Sequence, residues 1–185
     1  VAGFPLLMAA TMGKQELVEL CQGRIGCWMI THPDKGSDVT MVDVRPEWPA
    51  GQPANKGSMW GRVQGDELVI NGQCSAWVSN GAVAQVALGY IGAEYEDGFY
   101  DRDGNPYGMA VIIPLDLPGV SKGKPLDKIG QRALPQGEIY FDNVRVPRRF
   151  AIALKDEYYG NMTSSWSYAG THMGQLFTGV ARAAF

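Results

Sequence analysis

The alternation of hydrophobic and polar positions divides the chain into three stretches. Over residues 5–22, Leu6, Leu7, Leu17, Val18 and Leu20 are interleaved with Lys14, Gln15, Glu16 and Glu19, which predicts helix, with Gly13 as a break and Gly23 as a stop. From residue 27 to about 146 the period shortens. Runs at 27–31, 62–64, 68–71, 76–79, 83–91, 109–115 and 138–146, each bounded by Gly, Pro, Asn or Asp, predict short strands. Gln64-Gly65-Asp66-Glu67 lies between two of them as a hairpin signal, and Asn71-Gly72 gives a second. Near the end Trp166, Met173, Phe177 and Val180 return to helical spacing, with no stop signal before Phe185.

Strands connected this tightly predict a mainly β fold: an antiparallel β-barrel or sandwich flanked by partial α-helical segments. The expected division is the end of a helical domain at 1–26, a middle β domain at 27–148, and a linker with the first helix of another helical domain at 149–185. Because the chain starts on Val and ends within a helical pattern, it is expected to be a fragment. Two insertions interrupt the β region. Residues 45–56 are rich in Pro and Gly, and residues 95–107 form a polar loop with aromatics. The DRDGN within the second has part of a calcium-loop pattern but no bidentate Glu at the required spacing, so a plain turn is expected.

Composition narrows the classes. With 45% hydrophobic and 19% charged residues in 185, the chain can bury a core. A formal charge of −3 and scattered Lys and Arg leave no basic footprint, so no nucleic-acid partner is expected. No apolar run approaches the roughly 20 residues that cross a bilayer, and no membrane association is expected. Cys21, Cys27 and Cys74 are odd in number and lack CxxC spacing, which reads as reduced core thiols of a cytoplasmic protein. His32 and His172, far apart and without cysteine neighbours, give no metal site.

Two stretches carry the candidate chemistry. In WMITHPDKGSD, residues 28–38, a strand with Met29 and Ile30 runs into a polar loop where Thr31 and Ser37 offer hydroxyls and Gly36 permits close backbone approach. In NGQCSAWVSNGAVA, residues 71–84, period-two alternation places Trp77 and Ser79 on one strand face, with Val78 between them. A planar ring with an electron-accepting edge suits both stretches, the indole forming an apolar wall and the hydroxyls the donors. On the residues alone the plainer reading is the stronger one, with Trp77 in the core and Thr31 an ordinary strand position.

These segments resemble the middle domain of the acyl-CoA dehydrogenase family. That family carries C-x-x-T-E-P-x-x-G-S-D, then G-D-x-x-x-x-N-G-x-K-x-W-I-T-N-G, then K-x-G-x-R leading to F-x-D-V-R-V-P. This chain has WMITHPDKGSD, GDELVINGQCSAWVSNG, KIGQRALPQ and GEIYFDNVRVP in the same order. The resemblance implies an FAD cofactor held by Met29, Ile30, Thr31, Gly36, Ser37, Trp77, Val78 and Ser79. In it Thr31 bonds the pyrimidine side of the flavin ring, Ser79 the N5 region, and Trp77 lies against the ring. Ser37 would touch the flavin phosphates and also the bound thioester, an acyl-CoA substrate. An electron-transfer flavoprotein or similar acceptor and a homo-oligomer, a tetramer, are further implications.

The chain departs from that pattern in several places. His32 stands where Glu precedes Pro, Asp34-Lys35 replace small residues, and Gln73 and Cys74 alter the segment before Trp77. Ser167 and Gly170 occupy the positions of the acidic residue and Arg that grip coenzyme A. Ala169 falls where some members carry the catalytic glutamate, so no catalytic residue is assigned and the base is expected from beyond Phe185 or from another chain. Glu94, Glu96 and Glu157 read as solvated carboxylates. Two alternatives remain at this stage: a flavin-dependent monooxygenase of the same fold, and a flavin-free β binding module.

Overall fold

The structure, a computed structural model, describes residues 2–36, 57–102, 104 and 106–185. The helical pattern near the start resolves into α1, Phe4–Thr11, and α2, Gln15–Cys21. Pro5 is accommodated in the first turn of α1, where its missing N–H breaks no helical bond. Between the two helices Gly13 takes φ +64°, a left-handed turn that a residue with a Cβ rarely adopts.

Eight strands follow: β1 Gly26–Met29, β2 Met59–Gln64, β3 Glu67–Gln73, β4 Val86–Glu94, β5 Gly108–Pro114, β6 Val120–Lys122, β7 Ile139–Pro147 and β8 Ala151–Leu154. They form one sheet in the order β6-β7-β3-β2-β4-β5-β8, with β1 joined to β4 outside that path. β4 and β5 are the centre. Their near-continuous apolar runs, VALGYIGAE and GMAVIIP, are the signature of strands covered on both faces. The core gathers there, with Leu88, Tyr90, Ile91, Met109, Ile112 and Ile113 fully buried. α1 packs on β1 and β4.

The expected antiparallel barrel is corrected to an open mixed sheet. β1 pairs with β4 in parallel at Gly26↔Val86 through Met29↔Gly89, and β2 pairs with the same strand in parallel at Trp60↔Gly92 through Arg62↔Glu94. Parallel pairs cannot be made by a tight hairpin, because the chain must travel back to start again in the same direction. Among the described residues β6 and β8, the two ends of the path, do not pair.

Of the two expected hairpins, one forms. The hairpin at Gly65 is present, with β2 and β3 antiparallel in register from Met59↔Gly72 to Gln64↔Glu67. Asn71-Gly72 is not a second hairpin. Both lie inside β3 at an irregularity opposite β7, where Gly72 has φ +103° and no room for a side chain beside the Ser58 carbonyl. Residues 76–79 are a turn rather than a strand, and β6 and β8 are additional strands. The polar loop after β4 contains a turn and short bridges, Tyr95↔Gly98 and Tyr100↔Pro106. The expected Pro- and Gly-rich insertion at 45–56 lies outside the described residues.

The chain ends in α3, Tyr158–Ala184, a helix of 27 residues whose buried positions are Tyr158, Met162 and Ser165. Trp166, Met173, Phe177 and Val180, the expected stripe, are exposed. α3 packs on β5 and β8. The Tyr90 hydroxyl anchors it, donating to Asn161 Oδ1 at 2.8 Å and sharing a 2.6 Å bond with Ser165 Oγ. No helix among the described residues is long and apolar enough to cross a membrane. Cys21, Cys27 and Cys74 are buried free thiols.

Candidate functional site

β1 ends at Met29, paired with Gly89 of β4, and Ile30 and Thr31 follow it outside the ladder. Met29 is wholly buried and its thioether end would lie 3.3 Å from a Cβ placed on Gly89, so it forms floor rather than contact surface. Ile30 is also buried. Thr31 is the first half-exposed position after the strand.

The turn after Thr31 closes on itself and is tied to the start of β2. His32 N–H donates to the Lys35 carbonyl at 2.9 Å, and Lys35 N–H returns a bond to His32 at 3.2 Å. Asp34 Oδ1 accepts the Ser58 backbone N–H at 2.9 Å and also the Ser58 hydroxyl. The His32 ring is buried against Gly57, where an added Cβ would stand 2.7 Å from Nδ1. The departures at His32 and Asp34 therefore build the turn itself. Gly36 is exposed at its end, and Ser37 lies outside the described residues.

The second stretch comes to meet the first. Ser75 N–H donates to the Thr31 carbonyl at 3.0 Å, and the two hydroxyls, Thr31 Oγ1 and Ser75 Oγ, are 2.6 Å apart. Ser75 Oγ also accepts Trp77 N–H at 3.4 Å, which shapes the turn that follows. In that turn Val78 points into the core at 3% exposure, while the Trp77 indole is 67% exposed. An indole left this bare by its own chain is an unpaired apolar surface beside a group of hydroxyls. This replaces the expected common strand face: Trp77 and Ser79 flank a buried valine in a turn held by hydrogen bonds.

Those bonds come from KIGQRALPQ, residues 128–136, a segment to which the sequence reading gave no site residue. Ser79 bridges Gln136 across an antiparallel pair, and Asn80, at φ +66°, donates to the Pro135 carbonyl at 2.7 Å. Gln136 Nε2 donates to the Trp77 carbonyl at 2.8 Å and to Ser79 Oγ at 3.4 Å. Lys128 Nζ donates in turn to Gln136 Oε1 at 3.0 Å and to the Leu134 carbonyl at 2.6 Å. Ser75 was detectable as a hydroxyl two places before Trp77. Gln136 closes the KIGQRALPQ segment but carried no signal of a role at the site. Beneath the site the thiols are neutral, since burial pushes Cys74 up to about 12 although its sulfur accepts the Ile139 N–H at 3.0 Å. Burial raises Cys27 as well.

The geometry agrees with an independent likeness. The family model described as acyl-CoA dehydrogenase, middle domain, matches residues 27–144. The chain belongs to the acyl-CoA dehydrogenase family. Glutaryl-CoA dehydrogenase of Desulfococcus multivorans is 33% identical over 126 residues, which cover 67% of this chain and 26% of that protein. A probable acyl-CoA dehydrogenase of Bacillus subtilis (strain 168) is 27% identical over 172 residues, covering 92% of this chain and 40% of its own length. This family member thus spans between about a quarter and two fifths of these curated relatives. Among solved structures, a glutaryl-CoA dehydrogenase from Mycobacterium smegmatis in complex with FADH2 superposes with a TM-score of 0.58 at 25% identity, over 86% of this chain and 36% of that one. A further structure from that organism, described as a putative acyl-CoA dehydrogenase, shares the fold with a TM-score of 0.66 at 21% identity, over 89% and 39% of the two chains.

Proposed function

We propose that this acyl-CoA dehydrogenase family chain is the flavin-holding β portion of an enzyme that dehydrogenates an acyl-CoA thioester between its α and β carbons, with FAD as cofactor. The division at 27–148, with helical portions on either side, belongs to this reading. So do an electron-transfer flavoprotein or similar acceptor, a homotetramer and a cytoplasmic location. The carrying observation is the 2.6 Å contact between the Thr31 and Ser75 hydroxyls, which joins two distant segments beside the exposed Trp77.

The residues present fit a flavin. The ring needs an apolar cover on one side, a hydrogen-bond donor at the pyrimidine edge where charge collects on reduction, and a donor to N5; Trp77 supplies the first, Thr31 the second and Ser79 the third. FAD, when bound, would accept the hydride from the β carbon. Thr31 and Ser79 hold the polar edge; Gly36 and Ser37 are the positions to which the family pattern gives the phosphates, and Ser37 also the thioester, as part of this proposal. Met29, Ile30 and Val78 act from below by fixing the two segments. The proton from the α carbon goes to a carboxylate that the family position Ala169 does not provide.

The whole enzyme of which this chain is the β portion is expected to be yellow when purified, with a visible flavin band that bleaches when an acyl-CoA is added without oxygen. A colourless protein refutes FAD binding. A flavin unchanged by thioester, but consuming oxygen with NADH, refutes dehydrogenation in favour of a monooxygenase. Trp77→Ala should weaken FAD affinity about tenfold, through a stacking loss of about 1–1.5 kcal/mol, while folding stability changes by less than about 0.5 kcal/mol because the indole is mostly exposed.

A further inference from the structure

The hydrogen bonds around Ser79 have a direction. Lys128 Nζ has donors and no acceptor, so the atom of the Gln136 amide that faces it at 3.0 Å must be the oxygen. The opposite end of the same amide faces the Trp77 carbonyl at 2.8 Å, an acceptor that can be met only by the NH2 group. Two neighbours thus fix the amide orientation independently of each other. Its remaining N–H points at Ser79 Oγ, 3.4 Å away. A serine hydroxyl has one hydrogen and two lone pairs, and here a lone pair is engaged from the Gln136 side. The hydroxyl hydrogen is turned away from Gln136.

The geometry points to Gln136 as a positioning residue, which with Lys128 commits the Ser79 hydroxyl to donate its hydrogen bond outward, into the space beside Trp77. The inference rests on the flavin reading, in which that space holds the ring edge around N5. Oxidised FAD carries a lone pair at N5 and reduced FAD a hydrogen there, so a committed donor favours the oxidised form, and the chain Lys128 to Gln136 to Ser79 stabilises oxidised FAD over reduced FAD. The Ser79–Gln136 backbone bridge and the Asn80–Pro135 bond keep the two segments in place while the side chains set the polarity.

The test reverses that polarity. In Gln136→Glu the carboxylate still accepts from Lys128 but has no hydrogen for Ser79, and it draws the Ser79 hydroxyl hydrogen back toward itself. The ratio of affinities for reduced and oxidised FAD, read from the midpoint potential of the FAD-loaded protein, should rise about tenfold, equal to about 30 mV for a two-electron couple, because the turned hydroxyl now accepts from the N5 hydrogen of the reduced form. Ser79→Ala, which loses the donor without gaining an acceptor, should give a smaller rise of about threefold, and the double variant no more than Ser79→Ala alone. Gln136→Leu, which leaves the hydroxyl free to rotate, should give a rise of about threefold that also vanishes in the Ser79→Ala background, and it serves if the charged variant does not fold. Unchanged potentials in both Gln136 variants, or effects that add to Ser79→Ala, overturn the relay while a visible flavin band leaves FAD binding intact. A protein without that band overturns the flavin reading itself.

Discussion

Replacing Tyr90 with Phe removes a single oxygen from the joint between the sheet and α3. That oxygen donates to Asn161 at 2.8 Å and shares a 2.6 Å bond with Ser165, whose side chain is 1% exposed. Asn161 is only half-buried and regains a partner from water. Ser165 does not; its other neighbour is the weakly accepting Met8 sulfur at 3.6 Å. Two lost bonds at about 1 kcal/mol each, plus about 1 kcal/mol for stranding a buried hydroxyl, give an expected loss of about 2–3 kcal/mol. Ser165→Ala should cost about 1 kcal/mol, because Tyr90 keeps Asn161. The double variant strands nothing, so it should cost about 1 kcal/mol less than the two single losses together. Urea unfolding followed by circular dichroism measures all three, and each kcal/mol should also move Tm by about 2–4 °C in a chain of this size. Strict additivity, within about 0.3 kcal/mol, would refute the direct contact between the two hydroxyls.

Alkaline stability follows from groups held neutral by burial. Cys21 is raised from 9.0 to about 11 and Cys74 from 9.0 to about 12; Tyr90 and Tyr95 are raised from 10.0 to about 12. Above pH 9 the unfolded chain releases protons that the folded chain retains, so stability should be level below that pH and fall as pH rises through 9 to 12. Tm measured across this range checks the sign, and a rise above pH 9 contradicts it. Gly72→Ala should cost about 2 kcal/mol or more, since φ +103° is strained for alanine and the new Cβ meets the Ser58 carbonyl. An unchanged urea midpoint would count against the irregularity in β3.

The strands with strong apolar runs were legible because burial on both faces leaves a continuous hydrophobic string, as in β4 and β5. Which strands lie beside each other was not. Nothing in the period of β1 or β2 states that both join β4 in parallel, and that single fact separates the open mixed sheet from the expected barrel. SAWVS alternates as a strand would, yet its backbone bonds go to Thr31 and to the 135–137 segment, and Asn80 turns left-handed. Hydroxyls and the indole could be named in advance because motif spacing carries them. Gln136 could not, because a lone amide acquires meaning only from the lysine and the serine placed on either side of it.

β4 offers one of its edges to two strands in succession, β1 along Val86–Gly89 and β2 along Gly92–Glu94. Each is fastened by its own register, so the excursion from residue 30 to residue 58 can lengthen or shorten without sliding either strand. Such an arrangement makes the stretch of sequence between the two strands a natural port for grafting, since sequence exchanged there would leave the alignment of the sheet in place.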